Sequence, residues 1–260
     1  MRVAILSDIH GNLLALEAVL KDIEARGGVD ECWVLGDLVA VGPQPVEVLE
    51  CLHQLPNVRF TRGNTDRYVT DGDRPIPTQE EALNNPEILA KVVQIAEGFA
   101  WTQGAVTAHG WYAFLKTLPL ETRLTLPDGT RLLGVHASPG RDDGNGIHPQ
   151  LSDDELSDLI AGAEAELICV GNTHWPLKRN VGDVQVVNLG GVSNPAEPSL
   201  QATYCLLEAN ESSYQIKHHQ VDYDREAVIE LARERVLPTR DYITFLLSGK
   251  GVRPWGELDI

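Results

Sequence analysis

The sequence predicts a layered α/β fold. Three observations carry this: a β-α-β-α-β opening, a strand-rich second half, and a change of texture between them that marks a helical insert. Arg2 to Ser7 is a short aliphatic and β-branched run, read as a strand. Asn12 to Arg26 follows, with Leu13, Leu16, Leu20 and Ile23 at helical spacing. Glu31 to Gly36 repeats the strand signal, and Pro45 to Leu55 repeats the helix signal behind a proline suited to a first turn. Asn57 to Thr61 completes the opening as a third strand.

Beyond Thr65 the pattern changes. Asp71-Gly-Asp-Arg-Pro and Asn84-Asn85-Pro86 mark loops, and Glu87 to Leu118 reads as a helical hairpin carrying Trp101, Trp111, Tyr112 and Phe114. The chain therefore reads as one domain over 1–260 with a helical cap inserted at about 67–119. Strand signals return at Thr122 to Leu126 and Arg131 to Val135, around the turn Pro127-Asp128-Gly129-Thr130. Asp153 to Ala163 is read as a helix and Glu166 to Val170 as a strand. Strands are also expected around Val184 to Asn188, Thr203 to Glu208 and Tyr214 to Val221. A helix at Asp224 to Val236 and a loop beyond Lys250 close the chain.

Composition narrows the function. The 260 residues are 43% hydrophobic and 23% charged, with 23 Gly and 15 Pro, an ordinary globular balance. Lys and Arg total 21 against 38 Asp and Glu, a net charge of -17, the wrong sign for gripping a duplex nucleic acid. No apolar run is long enough to span a bilayer and no leader pattern opens the chain, so a cytoplasmic protein without membrane partners is expected. Cys32, Cys51, Cys169 and Cys205 are widely spaced among apolar neighbours and read as reduced, buried thiols.

The polar residues at the strand ends carry the chemistry. Asp8 and His10 follow the first apolar run, Asp37 follows Gly36, Asn64 follows Gly63, His136 follows Val135, and His174 comes shortly after Val170. In α/β sheets such ends gather along one edge, so the pattern predicts a single polar cluster. Any one of these residues alone is most simply a turn, a cap or a core histidine. Jointly they form a ligand set of carboxylates, imidazoles and an amide without thiolate, which suits Mn, Fe, Zn, Co or Ni better than Ca. An Asp between two subsets is able to bridge ions roughly 3.5–4 Å apart, and Asp37 is the candidate bridge.

The motifs D-x-H-G-N at Asp8 to Asn12, G-D-x-x-x-x-G at Gly36 to Gly42, G-N-x-D at Gly63 to Asp66, V-H at Val135-His136 and G-x-T-H at Gly171 to His174 occur in this order. Their order resembles the calcineurin-like metallophosphoesterases, and within them the small bacterial branch of phosphodiesterases and diadenosine-tetraphosphatase-like enzymes. The resemblance implies a four-layer α-β-β-α sandwich of two mixed sheets. It implies a first divalent transition metal on Asp8, His10, Asp37 and His174. A second would lie on Asp37, Asn64, His136 and the position occupied by Asn172, with Asp37, Asn64, Asp66 and Arg67 as catalytic candidates.

Two positions depart from the family pattern. Asn172 stands where the family has His, and a neutral amide should hold the second ion less tightly. Thr65 stands where many members have His, and a hydroxyl is no general acid near neutral pH. Leaving groups stable as anions are therefore favoured. The expected reaction is hydrolysis of a phosphodiester or phosphoanhydride in a small phosphorylated substrate such as a nucleotide or dinucleoside polyphosphate, by metal-bound hydroxide. The alternatives are a phosphomonoesterase and a scaffold that keeps the fold with an impaired site, as the retromer subunit of the superfamily does. Arg62 and Arg67 flank Asn64 as phosphate contacts, with Arg67 preferred. His148 is read as a surface residue, and Trp101 and Trp111 as packing anchors.

Overall fold

The computed structural model describes residues 1–73, 77, 79–196 and 198–250. In chain order the elements are β1 (Arg2–Leu6), α1 (Leu13–Ala25), β2 (Glu31–Leu35), α2 (Pro45–Gln54), β3 (Val58–Thr61), α3 (Asn64–Asp71), α4 (Gln79–Asn84), α5 (Leu89–Ala108) and α6 (Tyr112–Lys116). There follow β4 (Glu121–Thr125), β5 (Arg131–Val135), α7 (Asp153–Ile160), β6 (Leu167–Val170), β7 (Leu177–Val181), β8 (Val184–Asn188), β9 (Ala202–Ala209), β10 (Tyr214–Val221), α8 (Arg225–Glu234) and α9 (Arg240–Leu247). The loop expected beyond Lys250 lies outside the described residues, as do Arg74 and Pro75 of the loop after α3.

The strands form two five-stranded sheets, ordered β10-β9-β1-β2-β3 and β4-β5-β6-β8-β7. Both are mixed. In the first, β1, β2 and β3 run parallel while β9 and β10 are antiparallel; in the second, β5, β6 and β8 run parallel, edged by antiparallel β4 and β7.

Side-chain alternation builds the layers. Val3 and Ile5 of β1, with Trp33 and Leu35 of β2, face Leu132, Leu167, Cys169 and Val187 of the opposite sheet. Their neighbours Ala4, Leu6, Cys32 and Val34 point the other way, into the helical layer with Leu16, Val19, Leu49 and Leu52. On the far side Leu133, Val135, Ile168 and Val170 pack under Leu156 and Ile160 of α7. Near-continuous apolar strands are the mark of sheets covered on both faces, and the result is the expected four-layer α-β-β-α sandwich. Trp33 and Tyr204 are the largest fully buried side chains.

Between β3 and β4 the described elements are helical. α5 and α6 extend the outer layer of the first sheet through Phe99, Val106 and Leu115. Trp111 packs with His53 and Phe114, and Trp101 packs on the cluster made by α8 and α9, so both anchor helices to the body. All four cysteines are free thiols. Among the described residues no helix is long and apolar enough to cross a membrane.

Candidate metal centre

The parallel strands of both sheets end at one edge, and the residues that follow them converge there. β1 leads to Asp8 and His10, β2 to Asp37, β3 to Asn64, β5 to His136, and β6 to Asn172 and His174. Backbone bonds lock the ends together: Asp8 N–H donates to Gly36 O, His10 N–H to Asp37 O, Gly171 N–H to His136 O and Ser193 N–H to Asp8 O, at 2.8–3.1 Å. Asp8, His10, Asp37, Asn172 and His174 all have φ between 49° and 66°. This left-handed region costs a non-glycine residue roughly 1–3 kcal/mol and is concentrated at functional sites.

Two close approaches require glycine. A Cβ on Gly63 would lie 2.1 Å from Asp37 Oδ1, and one on Gly171 would lie 2.4 Å from Asp8 Oδ2. Backbone without side chain lets both carboxylates sit against the chain that carries the next ligand.

Two overlapping groups of ligand atoms result, Asp8 with His10 and His174, and Asp8 with Asp37 and His136, all within 4.8 Å of one another. Asp8 is common to both. The resemblance had assigned Asp8 to one ion alone and the bridge to Asp37. Asp37 nonetheless straddles the cluster, with Oδ2 3.5 Å from His10 Nε2 and Oδ1 3.4 Å from His136 Nε2. Asn64 Oδ1 is 3.1 Å from the same His136 nitrogen. His174 Nε2 lies 3.2 Å from Asp8 Oδ1 and 3.1 Å from His10 Nε2.

The outer contacts aim these atoms. Both His136 Nδ1 and His174 Nδ1 donate at 2.7 Å to carbonyls, of Leu35 and Asn194, which turns each Nε2 into the cluster. Ser7 Oγ donates to Asp8 Oδ2 at 2.6 Å, Asn172 N–H reaches both Asp8 oxygens, and Thr65 N–H donates to Asp37 Oδ1 at 2.9 Å. Asp8, Asp37, His10 and His136 are buried.

The ionisation states follow from this crowding. Burial pushes the His136 imidazolium down, but the facing Asp37 carboxylate outweighs burial and lifts the group to about 10. His174 is raised in the same way by Asp8 against the effect of burial, whereas burial leaves His10 at about 4. Burial also works against ionised Asp37, yet His136, His10 and the Thr65 amide hold it well below the ordinary carboxylate range. In the metal-free chain the protons on His136 and His174 lie between these carboxylate, amide and imidazole atoms at 3.1–3.4 Å, and a divalent cation would take the same place once those protons leave. The donor set therefore fits a divalent cation.

Two candidates, Asp66 and Arg67, are placed otherwise than the motifs suggested. Asp66 is fully buried beneath the site: Oδ1 accepts the N–H groups of Leu38 and Val39, and Oδ2 that of Gly63, at 3.0–3.2 Å. It is a brace between the β2 and β3 ends. Burial and the Asp37 charge push its carboxyl up to about 7, while the Gly63 and Val39 amides pull it down. Arg67 has its Nε on Asp142, Nη2 on Asp143 and Nη1 on Asp73, so each nitrogen already faces a carboxylate. Asn172 donates from Nδ2 to the carbonyl of Gly144 at 3.1 Å and from its backbone N–H to Asp8, a placement that does not engage the Oδ1 expected to face the second ion. His148 belongs to neither ligand group. Ser7, Asp142, Asp143 and Asn194 escaped the sequence reading. Only Ser7, adjacent to Asp8, carried a positional hint.

Fold and site define a two-sheet α/β protein built around a histidine and carboxylate cluster of metal-binding type. A family model described as a calcineurin-like phosphoesterase superfamily domain matches residues 1–212, and the chain belongs to that superfamily. It is 29% identical over 255 residues to an uncharacterised protein of Methanocaldococcus jannaschii, covering 92% of this chain and 93% of that one. The crystal structure of a metallophosphoesterase from Sphaerobacter thermophilus is similar at a TM-score of 0.73 and 26% identity, covering 97% of this chain and 99% of that one. A shorter match, 28% identical over 163 residues, covers 62% of this chain and 49% of a symmetrical bis(5'-nucleosyl)-tetraphosphatase from Neisseria gonorrhoeae.

Proposed function

We propose that the protein is a metal-dependent phosphoesterase that hydrolyses a phosphodiester or phosphoanhydride in a small, nucleotide-type substrate. The observation that carries this reading is the convergence of Asp8, His10, Asp37, Asn64, His136 and His174, their ligand atoms aimed inward by bonds on their outer atoms. Asp8, His10, Asp37 and His174 would hold one divalent ion, and Asp37, Asn64, His136 and Asn172 a second, with one Asp37 oxygen toward His10 and the other toward His136. Bound ions would supply Lewis-acid charge to the phosphoryl oxygens and activate water. The tetraphosphatase relatives support a nucleotide-type substrate.

The protein's own groups restrict the leaving group. Thr65 is buried and its Oγ1–H donates to Val39 O at 3.1 Å, so the position after Asn64 presents no proton donor to substrate. Asp66 is turned to the backbone. A leaving group stable without protonation, such as a nucleotide phosphate or an aryl alcohol, suits this site. Arg62 stands beside Asn64 with its Nε on Asp142 at 2.7 Å, which fixes the guanidinium at the rim.

The test is hydrolysis of bis-p-nitrophenyl phosphate by purified protein reconstituted in turn with Mn, Fe, Zn, Co and Ni, beside metal content per chain. The expected result is bound transition metal with turnover that chelation abolishes and His174→Asn lowers by at least about 100-fold. Metal-loaded protein that cleaves neither this diester nor a dinucleoside polyphosphate overturns the reading.

A further inference from the structure

The loop that follows β5, from Arg141 to Gly146, forms the rim of the candidate centre between its Asn64 and Asn172 sides. It is fastened at both ends. On the Asn64 side, Asp142 is buried and accepts from Arg62 Nε at 2.7 Å and Arg67 Nε at 3.1 Å. Asp143 accepts from Arg67 Nη2 at 2.8 Å and from the Tyr68 hydroxyl at 2.6 Å. Asp73 takes the remaining Arg67 nitrogen. On the other side, Asn172 Nδ2 donates to Gly144 O at 3.1 Å, and Asn188 Nδ2 and Thr173 Oγ1 both donate to Ile147 O.

The charge balance of this rim bears on substrate choice. Arg62 and Arg67 flank Asn64, yet they face three carboxylates: Asp73, Asp142 and Asp143. Counting the exposed Arg141 at the start of the loop as a third cation, these rim residues carry no net positive charge. Sites that take polyphosphates do so with surplus donors and cations for every phosphate beyond the reacting one. Here the arginines are already matched within the protein, on a chain whose net charge is -17. A ligand with a single negative charge needs no compensation from such a rim, whereas each further charge meets a carboxylate for every guanidinium.

Resting on the phosphoesterase reading, we propose that this rim selects a monoanionic phosphodiester against polyphosphates, with Asp143 as a specificity-determining residue. Asp143 is suited to the role because it is half-exposed and lies within the loop itself, while Asp142 is enclosed and the equally open Asp73 belongs to the segment after α3. Its removal as a charge keeps the Tyr68 contact, since an amide oxygen at the same place still accepts, and the Gly144 N–H that Asp143 Oδ1 accepts lies in an exposed turn open to water.

The test compares kcat/KM for bis-p-nitrophenyl phosphate and for diadenosine tetraphosphate in the metal-loaded wild type, in Asp143→Asn and in Glu211→Gln. The last removes one charge from an exposed turn remote from the rim. Coulomb's law within a Debye length gives about threefold to fivefold per unit of ligand charge. Asp143→Asn is therefore expected to raise the tetraphosphate-to-diester ratio at least about threefold at low salt, and less at ~0.5 M salt. Glu211→Gln is expected to leave the ratio where it was.

An unchanged ratio in Asp143→Asn, or an equal change in Glu211→Gln, overturns the inference while hydrolysis of the diester still upholds the functional reading. If neither substrate is cleaved the functional reading fails, and calorimetric binding of methylene-bridged diadenosine tetraphosphate decides the inference alone. Tighter binding by Asp143→Asn than by wild type supports it, and equal affinity refutes it.

Discussion

Asp66→Asn separates a structural brace from a chemical group at a position whose motif context suggests catalysis. The carboxylate accepts three backbone N–H bonds in a fully buried place. An asparagine of the same shape has one oxygen and one NH2. If the oxygen keeps Leu38 and Val39, the NH2 confronts the Gly63 N–H, donor against donor. One buried backbone donor then lacks an acceptor and the new NH2 lacks one as well, each costing about 1–3 kcal/mol, for a total of about 2–6 kcal/mol. For a chain of this size, at about 2–4 °C per kcal/mol, that corresponds to a melting temperature lower by about 4–24 °C. Asp66→Ala, which strands all three donors, should be worse. Calorimetry on metal-free and metal-loaded samples measures both shifts, and loading should recover part of the loss because Gly63 precedes Asn64. An Asp66→Asn protein that melts within about 1 °C of wild type yet has lost activity would refute the brace and make the carboxylate a reacting group.

Two further outcomes follow from the same geometry. In Gly171→Ala the new Cβ would lie 2.3 Å from Ser7 Oγ and 2.4 Å from Asp8 Oδ2, so Asp8 must shift; metal affinity should fall about 10–100-fold, read by titration with Mn or Zn. Because Asp37 raises His136 to about 10 against the effect of burial, metal-free protein binds a proton there at pH 7 that metal uptake must release. Apparent affinity should rise by up to about tenfold per pH unit toward pH 10, and calorimetry in buffers of different ionisation heat should detect the proton; none released at pH 7 counts against it. The linkage has the same sign for folding of the metal-free chain: the raised imidazole stabilises fully below ~6.5 and loses its contribution as pH climbs through about 10.

What was legible in the sequence is what neighbouring residues decide. β1, β2 and β3, the helices between them and the β5 and β6 strands announce themselves by apolar runs or helical spacing, and each ligand, Asn172 and His174 included, comes within four residues of such a run's end. Elements whose pattern is weak were missed. β7 reads Leu-Lys-Arg-Asn-Val at a sheet edge, where one face is exposed and the apolar signal thins; α9 has Thr239 at its N-cap and Asp241 in its first turn, but its eight residues are too few for a clear apolar period. The expected hairpin at Glu87 to Leu118 is instead one long helix, α5, and the short α6, whose aromatic residues Trp111 and Phe114 are fixed by packing on His53 and Phe60.

The rest was hidden because it depends on distant pairing. Asp142 and Asp143 meet Arg62, Arg67 and Tyr68 across 75 to 80 positions of chain, and nothing local in a polar loop signals that meeting. The same distance explains Arg67. Its motif position directly after Asp66 made it the preferred phosphate contact, but a guanidinium goes to the carboxylates that the fold delivers. The ligands escape this ambiguity because their placement is a backbone property. Asp8, His10, Asp37, Asn172 and His174 hold left-handed conformations stabilised by bonds between strand ends, which exist whatever occupies the centre. A roughly 1–3 kcal/mol strain at each of these residues is tolerable only where the surrounding sheet ends over-determine the chain. The two parallel β ends per ligand pair supply that constraint, so the protein brings a preformed cluster to its cation, and substrate selection falls to the rim.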